Sequence, residues 1–280
     1  METVGDLKIR RHGGEGPTVI VLHGGPGAAG SAQDLAVGLS DAFAVIEPWQ
    51  RGSEGCEPLT VARHVADLHS IVVSVRNGPP PVLVGESWGA MLALAYAAEY
   101  PGDAGPIVLV GCGTFDKQSR AHGVKTREER IAQHIAEHSE FADDLNLDVN
   151  DRIMKWHDMT DNYEAIPSAS PSEGAQFDAK AHTETWDDML RCQEIGLYPD
   201  AFSRIASPVM MLHGSYDPHP GKMIRDNLRP SLPQLEYREF DRCGHQPAVE
   251  KFAKEEFFSV MRDWLADKCK QEECRTRECT

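Results

Sequence analysis

Short hydrophobic runs alternate with longer amphipathic stretches along much of the chain. The runs are rich in Val, Ile and Leu and bounded by Gly and Pro, which is typical of strands buried on both faces of a mostly parallel sheet. Helical spacing between them is clearest at Val61–Val75 and in the Ala-rich Trp88–Tyr100. This alternation predicts an α/β fold with right-handed crossovers. The predicted strands are Thr18–Leu22, Phe43–Ile46, Val82–Val84, Ile107–Val110, Val209–Leu212 and Leu235–Phe240.

The alternation stops between about Thr114 and Ala206. This stretch is helical and charged over Arg127–Asp144, loop-like over Asn162–Gly174 and helical again around Thr185–Ile195, with no strand-like run. We therefore predict a helical cap at residues 114–206, inserted into a core made of residues 1–113 and 207–280.

Composition and charge narrow the range of partners. The chain has 280 residues, 41% of them hydrophobic, and a net charge of −16. An acidic protein is poorly suited to nucleic acid or to an anionic membrane surface, which attract basic faces. No apolar run is long enough to span a membrane, and Met1–Gly16 lacks the apolar region of a secretory signal. We expect a small-molecule or short-peptide substrate, with no nucleic-acid or membrane partner, and leave the oligomeric state open.

The seven cysteines are odd in number and widely spread, which does not indicate a disulfide framework and favours a reducing cytoplasm. Cys269, Cys274 and Cys279 lie five residues apart near the C-terminus, whereas thiolate zinc sites favour Cys-x2-Cys pairs. We interpret this tail as a frayed, charged segment with exposed thiols and predict no metal.

The segment Gly85-Glu86-Ser87-Trp88-Gly89 matches the Gly-x-Ser-x-Gly nucleophile elbow. A predicted buried strand leads into it and an Ala-rich helix leaves it. Such a sharp turn strains the serine backbone and holds its hydroxyl clear of the sheet, near the positive end of the helix. The alternative is a serine in an ordinary Gly-rich turn, which would leave this context unexplained.

A serine nucleophile needs a base and an orienting carboxylate, and both follow Ser87 in the order that this elbow requires. Asp217 follows the strand Val209–Leu212, and His245 follows Leu235–Phe240. Considered alone, Asp217 could be a turn residue before Pro218, and His245 could be a helix-capping residue. Together, in three strand-end loops, they predict a catalytic triad.

Acyl transfer also needs donors for the oxyanion. The N–H of Trp88, directly after the nucleophile, is one. The loop after the first predicted strand supplies the other, and we favour the N–H of Gly25, with Gly24 as the alternative. We interpret His23 as a structural residue of that loop.

The segments Leu22–Gly27, Trp49–Ser53 and Gly85–Gly89, with Asp217 and His245, resemble the α/β-hydrolase superfamily. The His-Gly-Gly-Pro-Gly and Gln-Arg-Gly-Ser sequences are similar to those of the proline iminopeptidase group. The resemblance covers Thr18–Gly113 and Ser207–Leu265. It implies that Ser87, Asp217 and His245 form the triad and that no metal or organic cofactor is needed.

Glu86 departs from the family pattern, which has a small residue before the nucleophile. The resemblance also implies that cap carboxylates and an aromatic pocket read the free amine of the substrate. We assign substrate binding to Glu86, Glu184 and Trp186, and leave open whether Glu86 contacts the amine or braces the cap. For each cap residue the alternative is a solvated face of an acidic protein. The other acidic and aromatic candidates are Glu173, Asp187, Asp188, Glu194, Trp156 and Tyr198.

Two other motifs suggest different chemistry. Gly25–Gly30 has the Gly-x-Gly-x-x-Gly spacing of dinucleotide-binding folds, with Glu47 placed for a ribose hydroxyl, but Pro26 removes a phosphate-binding N–H. His134–His138 matches the inverted zincin pattern without a clear third ligand, so we favour a solvent-facing helix.

We therefore predict a serine hydrolase that acts on a small ester or on the amide of an N-terminal residue through an acyl-enzyme. A carboxylesterase without peptidase activity is the first alternative. An NAD-binding oxidoreductase and a non-catalytic ligand receptor are the more distant ones.

Overall fold

Eight strands form one mixed sheet in the computed structural model, which describes residues 1–55, 57–167 and 177–278. The spatial order is β1-β2-β4-β3-β5-β6-β7-β8, in which β1 and β2 pair antiparallel, β2 and β4 pair antiparallel, and the strands from β4 to β8 run parallel. The strands are β1 (Glu2–Val4), β2 (Leu7–His12), β3 (Thr18–Leu22), β4 (Ala44–Pro48), β5 (Val82–Glu86), β6 (Ile107–Val110), β7 (Val209–Gly214) and β8 (Leu235–Phe240).

All six predicted strands are present, and the prediction of an α/β fold with a mostly parallel sheet is confirmed. The hairpin of β1 and β2 was not predicted, because its residues are mostly polar. Only Leu7 and Ile9 of β2 are buried, and Gly5 supplies the positive φ angle of the connecting turn.

The central strands bury side chains on both faces, which explains their continuous apolar sequences. Alternate residues belong to two separate hydrophobic clusters, one on each side of the sheet: Ile20, Leu83 and Leu109 lie in the first, and Val21, Val84 and Val110 in the second.

Helices cover both faces of the sheet. Helix α3 (Trp88–Glu99) is buried along nearly its whole length, which accounts for its Ala-rich sequence. Helix α2 (Val61–Val75) is amphipathic, and its N-cap residue Thr60 accepts a side-chain hydrogen bond from the Arg63 N–H. The α-helices are α1 (Gln33–Leu39), α2 (Val61–Val75), α3 (Trp88–Glu99), α4 (Lys117–Glu137), α5 (Val149–Lys155), α6 (His157–Asp161), α7 (Ala179–Glu194), α8 (Gly221–Leu228) and α9 (Lys254–Glu278).

Between β6 and β7, the residues that the structure describes form α4 to α7 and two short 3₁₀ helices. Its one strand-like contact, among the residues described there, is an isolated bridge between Ala165 and Glu250. Much of the predicted loop Asn162–Gly174 lies outside the described residues. The division into core and cap at residues 114 and 206 stays a prediction.

The C-terminal segment differs from the expectation of a frayed tail with exposed thiols. Helix α9 continues to Glu278, and Cys269 is buried in the hydrophobic cluster that packs on one face of the sheet. The expectation was wrong for Cys269 because the apolar face of α9 reaches further along the chain than its charged sequence suggests. Cys112, Cys192 and Cys243 are buried free thiols, and Cys269 is buried as well. Within the described residues, no helix combines the length and apolar character needed to cross a bilayer.

Candidate active site

Ser87 occupies a strained turn between β5 and α3. Its backbone has φ 53° and ψ −114°, a region that non-glycine residues rarely adopt. A β-carbon on Gly85 would lie 2.2 Å from the carbonyl oxygen of Gly89, and one on Gly89 would lie 2.2 Å from that of Leu22. Both glycines are therefore required by close packing, which explains the Gly-x-Ser-x-Gly sequence. The structure therefore has, at Ser87, the strained strand-to-helix turn that the Gly-x-Ser-x-Gly sequence predicts.

Asp217 and His245 meet at the carboxyl edge of the sheet, in the loops after β7 and β8. The His245 Nδ1 lies 2.8 Å from Asp217 Oδ2, and both side chains are buried. Placed this way, Nδ1–H donates to the carboxylate, which leaves Nε2 as the nitrogen that can accept a proton.

The loop containing His245 and the turn at Ser87 both pack against the C-terminal end of β6. The Ser87 N–H donates to the Val110 carbonyl at 2.8 Å. The next residue, Gly111, is so close to the histidine that a β-carbon there would lie 3.1 Å from His245 Nδ1. Gln246 Nε2 also donates to Glu86 Oε1 at 3.0 Å. The three predicted triad loops therefore converge.

Three imidazoles surround the Asp217 carboxylate. His213 Nε2 is 3.0 Å from Oδ2, and His219 Nδ1 is 3.4 Å from Oδ1. Burial alone would raise the pKa of Asp217, but His245, His213 and His219 hold that pKa well below its ordinary value of 3.8. Burial alone would lower the pKa of His245, but the Asp217 charge and hydrogen bond raise it above 6.5.

The loop after β3 lies directly beside Ser87. A β-carbon on Gly24 would lie 3.2 Å from the Ser87 β-carbon, and Gly25 has a positive φ of 41°. His23 is fully buried, and burial lowers its pKa to about 4, so the ring is neutral at neutral pH. This environment agrees with a structural residue.

Gln50 joins that loop to Trp88, the residue after Ser87, which the sequence did not predict. Its backbone N–H donates to His23 Nε2 at 3.1 Å, and its side-chain Nε2 donates to the His23 carbonyl at 3.0 Å. Trp88 Nε1 donates to Gln50 Oε1 at 2.7 Å. In the sequence, Trp49–Ser53 stands out only as a motif. The position of Gln50, after a strand that ends at the same edge of the sheet, is the signal that could have indicated its contact with this loop.

A second missed residue is Asp161, whose backbone carbonyl accepts a hydrogen bond from the His245 N–H at 2.8 Å. Its buried carboxylate accepts two hydrogen bonds from Arg127, at 2.7 Å and 2.6 Å. This ion pair fixes part of the segment between β6 and β7 against the histidine loop. Nothing local to Asp161 in the sequence indicates this long-range contact.

The predicted cap residues are dispersed. Glu184 and Asp188 accept hydrogen bonds from the backbone N–H groups of Leu59 and Val61, each at 2.9 Å, and so attach α7 to the start of α2. Trp186 packs against the main hydrophobic cluster, as does the buried Tyr198. Of the rest, Glu194 pairs with Lys117, Trp156 contacts Phe141, Asp187 is exposed, and Glu173 lies outside the described residues.

A cavity of about 540 Å³ opens beside the elbow. Glu86 and Gln246 line it, together with Asp34, Asp158 and Asn162, and none of its described lining residues is basic. Glu86 itself is buried, and burial raises the pKa of its carboxyl group above 4.5 against the opposing hydrogen bond from Gln246.

The residues of the two other motifs have different surroundings. Glu47 is buried and binds Arg10 at 2.7 Å and His12 at 2.9 Å, so its carboxylate is already engaged. The rings of His134 and His138 lie 4.5 Å apart on α4. In the described part of the chain, three side chains bring potential metal-ligand atoms within 4.8 Å of one another. They are Asp217, His219 and His245.

Comparison with known proteins places the chain among related sequences. Residues 19–260 match the model of the alpha/beta hydrolase family. A proline iminopeptidase of Lactobacillus helveticus is 27% identical over 279 residues, which covers 90% of each chain. The solved structure of VinJ has a TM-score of 0.69 at 20% identity and covers 94% of this chain and 95% of its own. That of a Mycobacterium smegmatis proline iminopeptidase has a TM-score of 0.65 at 17% identity, covering 95% and 97%.

Proposed function

Since the chain belongs to the alpha/beta hydrolase family, we propose that it is a serine hydrolase with Ser87, His245 and Asp217 as its catalytic triad. The observation that carries the proposal is the Asp217–His245 hydrogen bond of 2.8 Å beside a serine in a strained strand-to-helix turn. Family membership supports the reaction class, and the triad assignment rests on this geometry.

In this mechanism, Ser87 Oγ attacks the substrate carbonyl while His245 Nε2 takes its proton. Asp217 orients the ring and stabilises the imidazolium that forms. His245 then gives the proton to the leaving group, and an acyl-enzyme remains. A water molecule that His245 deprotonates attacks the acyl-enzyme, and the proton returns to Ser87 as the acid leaves.

We assign the oxyanion to the N–H groups of Trp88 and Gly25. Trp88 is the first residue of α3, so its N–H is one of those that a helix leaves without an intrahelical partner. Because Gln50 bonds to both Trp88 and His23, it would fix the positions of the two N–H donors relative to each other.

We further propose a substrate with a free N-terminal amine, as the proline iminopeptidase relative suggests. The carboxylates of Asp34, Glu86 and Asp158 line the cavity beside the elbow and would attract an ammonium group. The helical segment 114–206 would act as the cap over this cavity, and substrate contacts by Glu184 and Trp186 remain part of the proposal. We place the enzyme in the cytoplasm because its odd number of widely spread cysteines does not indicate a disulfide framework.

The deciding experiment compares prolyl-p-nitroanilide with p-nitrophenyl butyrate, using Ser87→Ala as the blank. We expect prolyl amide cleavage that falls about 10⁶-fold in Ser87→Ala, as happens when a triad nucleophile is removed. Ser87→Ala with near wild-type turnover would refute the triad. Ester hydrolysis alone would leave the triad in place and indicate the carboxylesterase alternative.

A further inference from the structure

Donor atoms of three side chains, one of which is the proposed catalytic base, face one another in the loops after β7 and β8. His245 Nδ1 lies 2.8 Å from Asp217 Oδ2 and 3.2 Å from His219 Nδ1, and His219 Nδ1 lies 3.4 Å from Asp217 Oδ1. A triad needs the first of these contacts. It does not need a second imidazole that presents its Nδ1 to the Nδ1 of the base.

One donor atom from each of Asp217, His219 and His245 lies within 4.8 Å of the other two, which is close enough for one metal ion to bind all three side chains. Ligands about 2.05 Å from a tetrahedral zinc ion are about 3.3 Å from each other, and imidazole nitrogen and carboxylate oxygen are ordinary zinc ligands. We propose that Asp217, His219 and His245 bind Zn²⁺ as an inhibitor of the hydrolase, with water as the fourth ligand. This inference rests on the proposed triad.

The groups around the site already orient these ligands. The His219 backbone N–H donates to Asp217 Oδ1 at 2.8 Å, and the buried His213 Nε2 lies 2.9 Å from the His219 carbonyl and 3.0 Å from Asp217 Oδ2. Such outer contacts fix the direction of metal ligands. The His219 side chain is 19% exposed, which gives an ion a route to the two buried partners.

The choice of nitrogen explains why binding would stop turnover. In the form of the enzyme that can react, His245 is neutral with its proton on Nδ1, and Nε2 has the lone pair that accepts the serine proton. When Zn²⁺ takes the Nδ1 lone pair, the same proton must be on Nε2. His245 then has no free lone pair for Ser87, and Asp217 can no longer orient the ring.

Cobalt binding tests the site without using activity. Tag-free Ser87→Ala protein is titrated with Co²⁺, and the visible d–d absorption of a tetrahedral site is followed, with Zn²⁺ added to displace it. We expect His219→Asn in this background to weaken binding by at least about 100-fold, since even outer-contact losses cost about 10–100-fold. His134→Asn, on the α4 His-x-x-Glu-His face, is the matched control and should bind cobalt normally.

In active protein, Zn²⁺ should inhibit hydrolysis reversibly on chelation, and His219→Asn should be at least about 100-fold less sensitive. No tetrahedral cobalt spectrum, a thiolate charge-transfer band from a cysteine ligand, or equal binding by His219→Asn would each overturn the inference. Absence of prolyl amide cleavage would instead refute the proposed substrate and leave the cobalt result unaffected.

Discussion

Two buried carboxylates lie at the same edge of the sheet in opposite surroundings. Asp217 is enclosed by His213, His219 and His245, whose charges and hydrogen bonds hold its pKa well below 3.8. Glu86 has the Gln246 amide as its hydrogen-bond partner and lies in a cavity with further acids, and burial raises its pKa above 4.5. The same functional group is therefore held as a permanent anion at one position and inclined toward the neutral acid at the other.

This difference matches the two tasks that we propose. An orienting residue must stay charged through the whole cycle, because the imidazolium on His245 needs a fixed counter-charge. A residue that receives a substrate ammonium gains its counter-charge only when the substrate arrives. A carboxyl group whose hydrogen-bond partner is a neutral amide is suited to that role.

The largest effect is expected from removing the fixed charge. Asp217→Asn should lower kcat by about 10⁴-fold on both amide and ester substrates, because the amide cannot fix the His245 tautomer or stabilise the imidazolium. Steady-state kinetics on the two p-nitro substrates measures this loss. Asp226→Asn, which alters an exposed acid on α8, is the matched control. A loss of less than about tenfold would mean that Asp217 is not the triad acid.

An intermediate effect is expected at Glu86, and it should depend on the substrate. Glu86→Gln should reduce kcat/KM for prolyl-p-nitroanilide by about 10–100-fold, since a hydrogen bond to a charged group contributes about 1.5–3 kcal/mol. The loss should appear mainly in KM, and p-nitrophenyl butyrate, which has no amine, should be cleaved almost as before. Glu99→Gln at the end of α3 is the control. Equal losses on both substrates would contradict amine recognition by Glu86.

The two carboxylates also differ in how far the sequence could predict them. Asp217 follows an apolar strand and precedes His245 in the order of a known constellation, so its role could be inferred from position alone. The sequence shows that Glu86 precedes the serine, but it does not show that residues 34, 158 and 246 line the same cavity. These residues come together only when three separate connections fold over one edge of the sheet. The hydrophobic periodicity of the sequence does not indicate this proximity.

Glu184 and Trp186 also show that residue type and position in a helix do not determine which groups a side chain contacts. Their residue types suit an amine pocket, and helical spacing places them on α7, yet the contacts of Glu184 are set by the start of α2. A carboxylate that caps unpaired N–H groups and one that receives a ligand look alike in a sequence. Ser87, by contrast, is marked by two glycines that only one backbone geometry requires.

The smallest effect, on stability, should have opposite signs at the two positions. A carboxyl group with a lowered pKa stabilises the folded state above its unfolded pKa, and that contribution is lost as pH falls through the folded pKa. A group with a raised pKa contributes its full stabilisation below its unfolded pKa and loses that contribution as pH rises through the folded value.

At neutral pH, Asp217→Asn should therefore lower the melting temperature and Glu86→Gln should raise it, by about 2–4 °C for each kcal/mol. As pH falls, the Glu86→Gln difference should vanish below 4.5 and the Asp217→Asn difference should shrink below 3.8. Thermal unfolding across this range measures both, and a destabilised Glu86→Gln protein at neutral pH would show that Glu86 is held as a paired anion like Asp217.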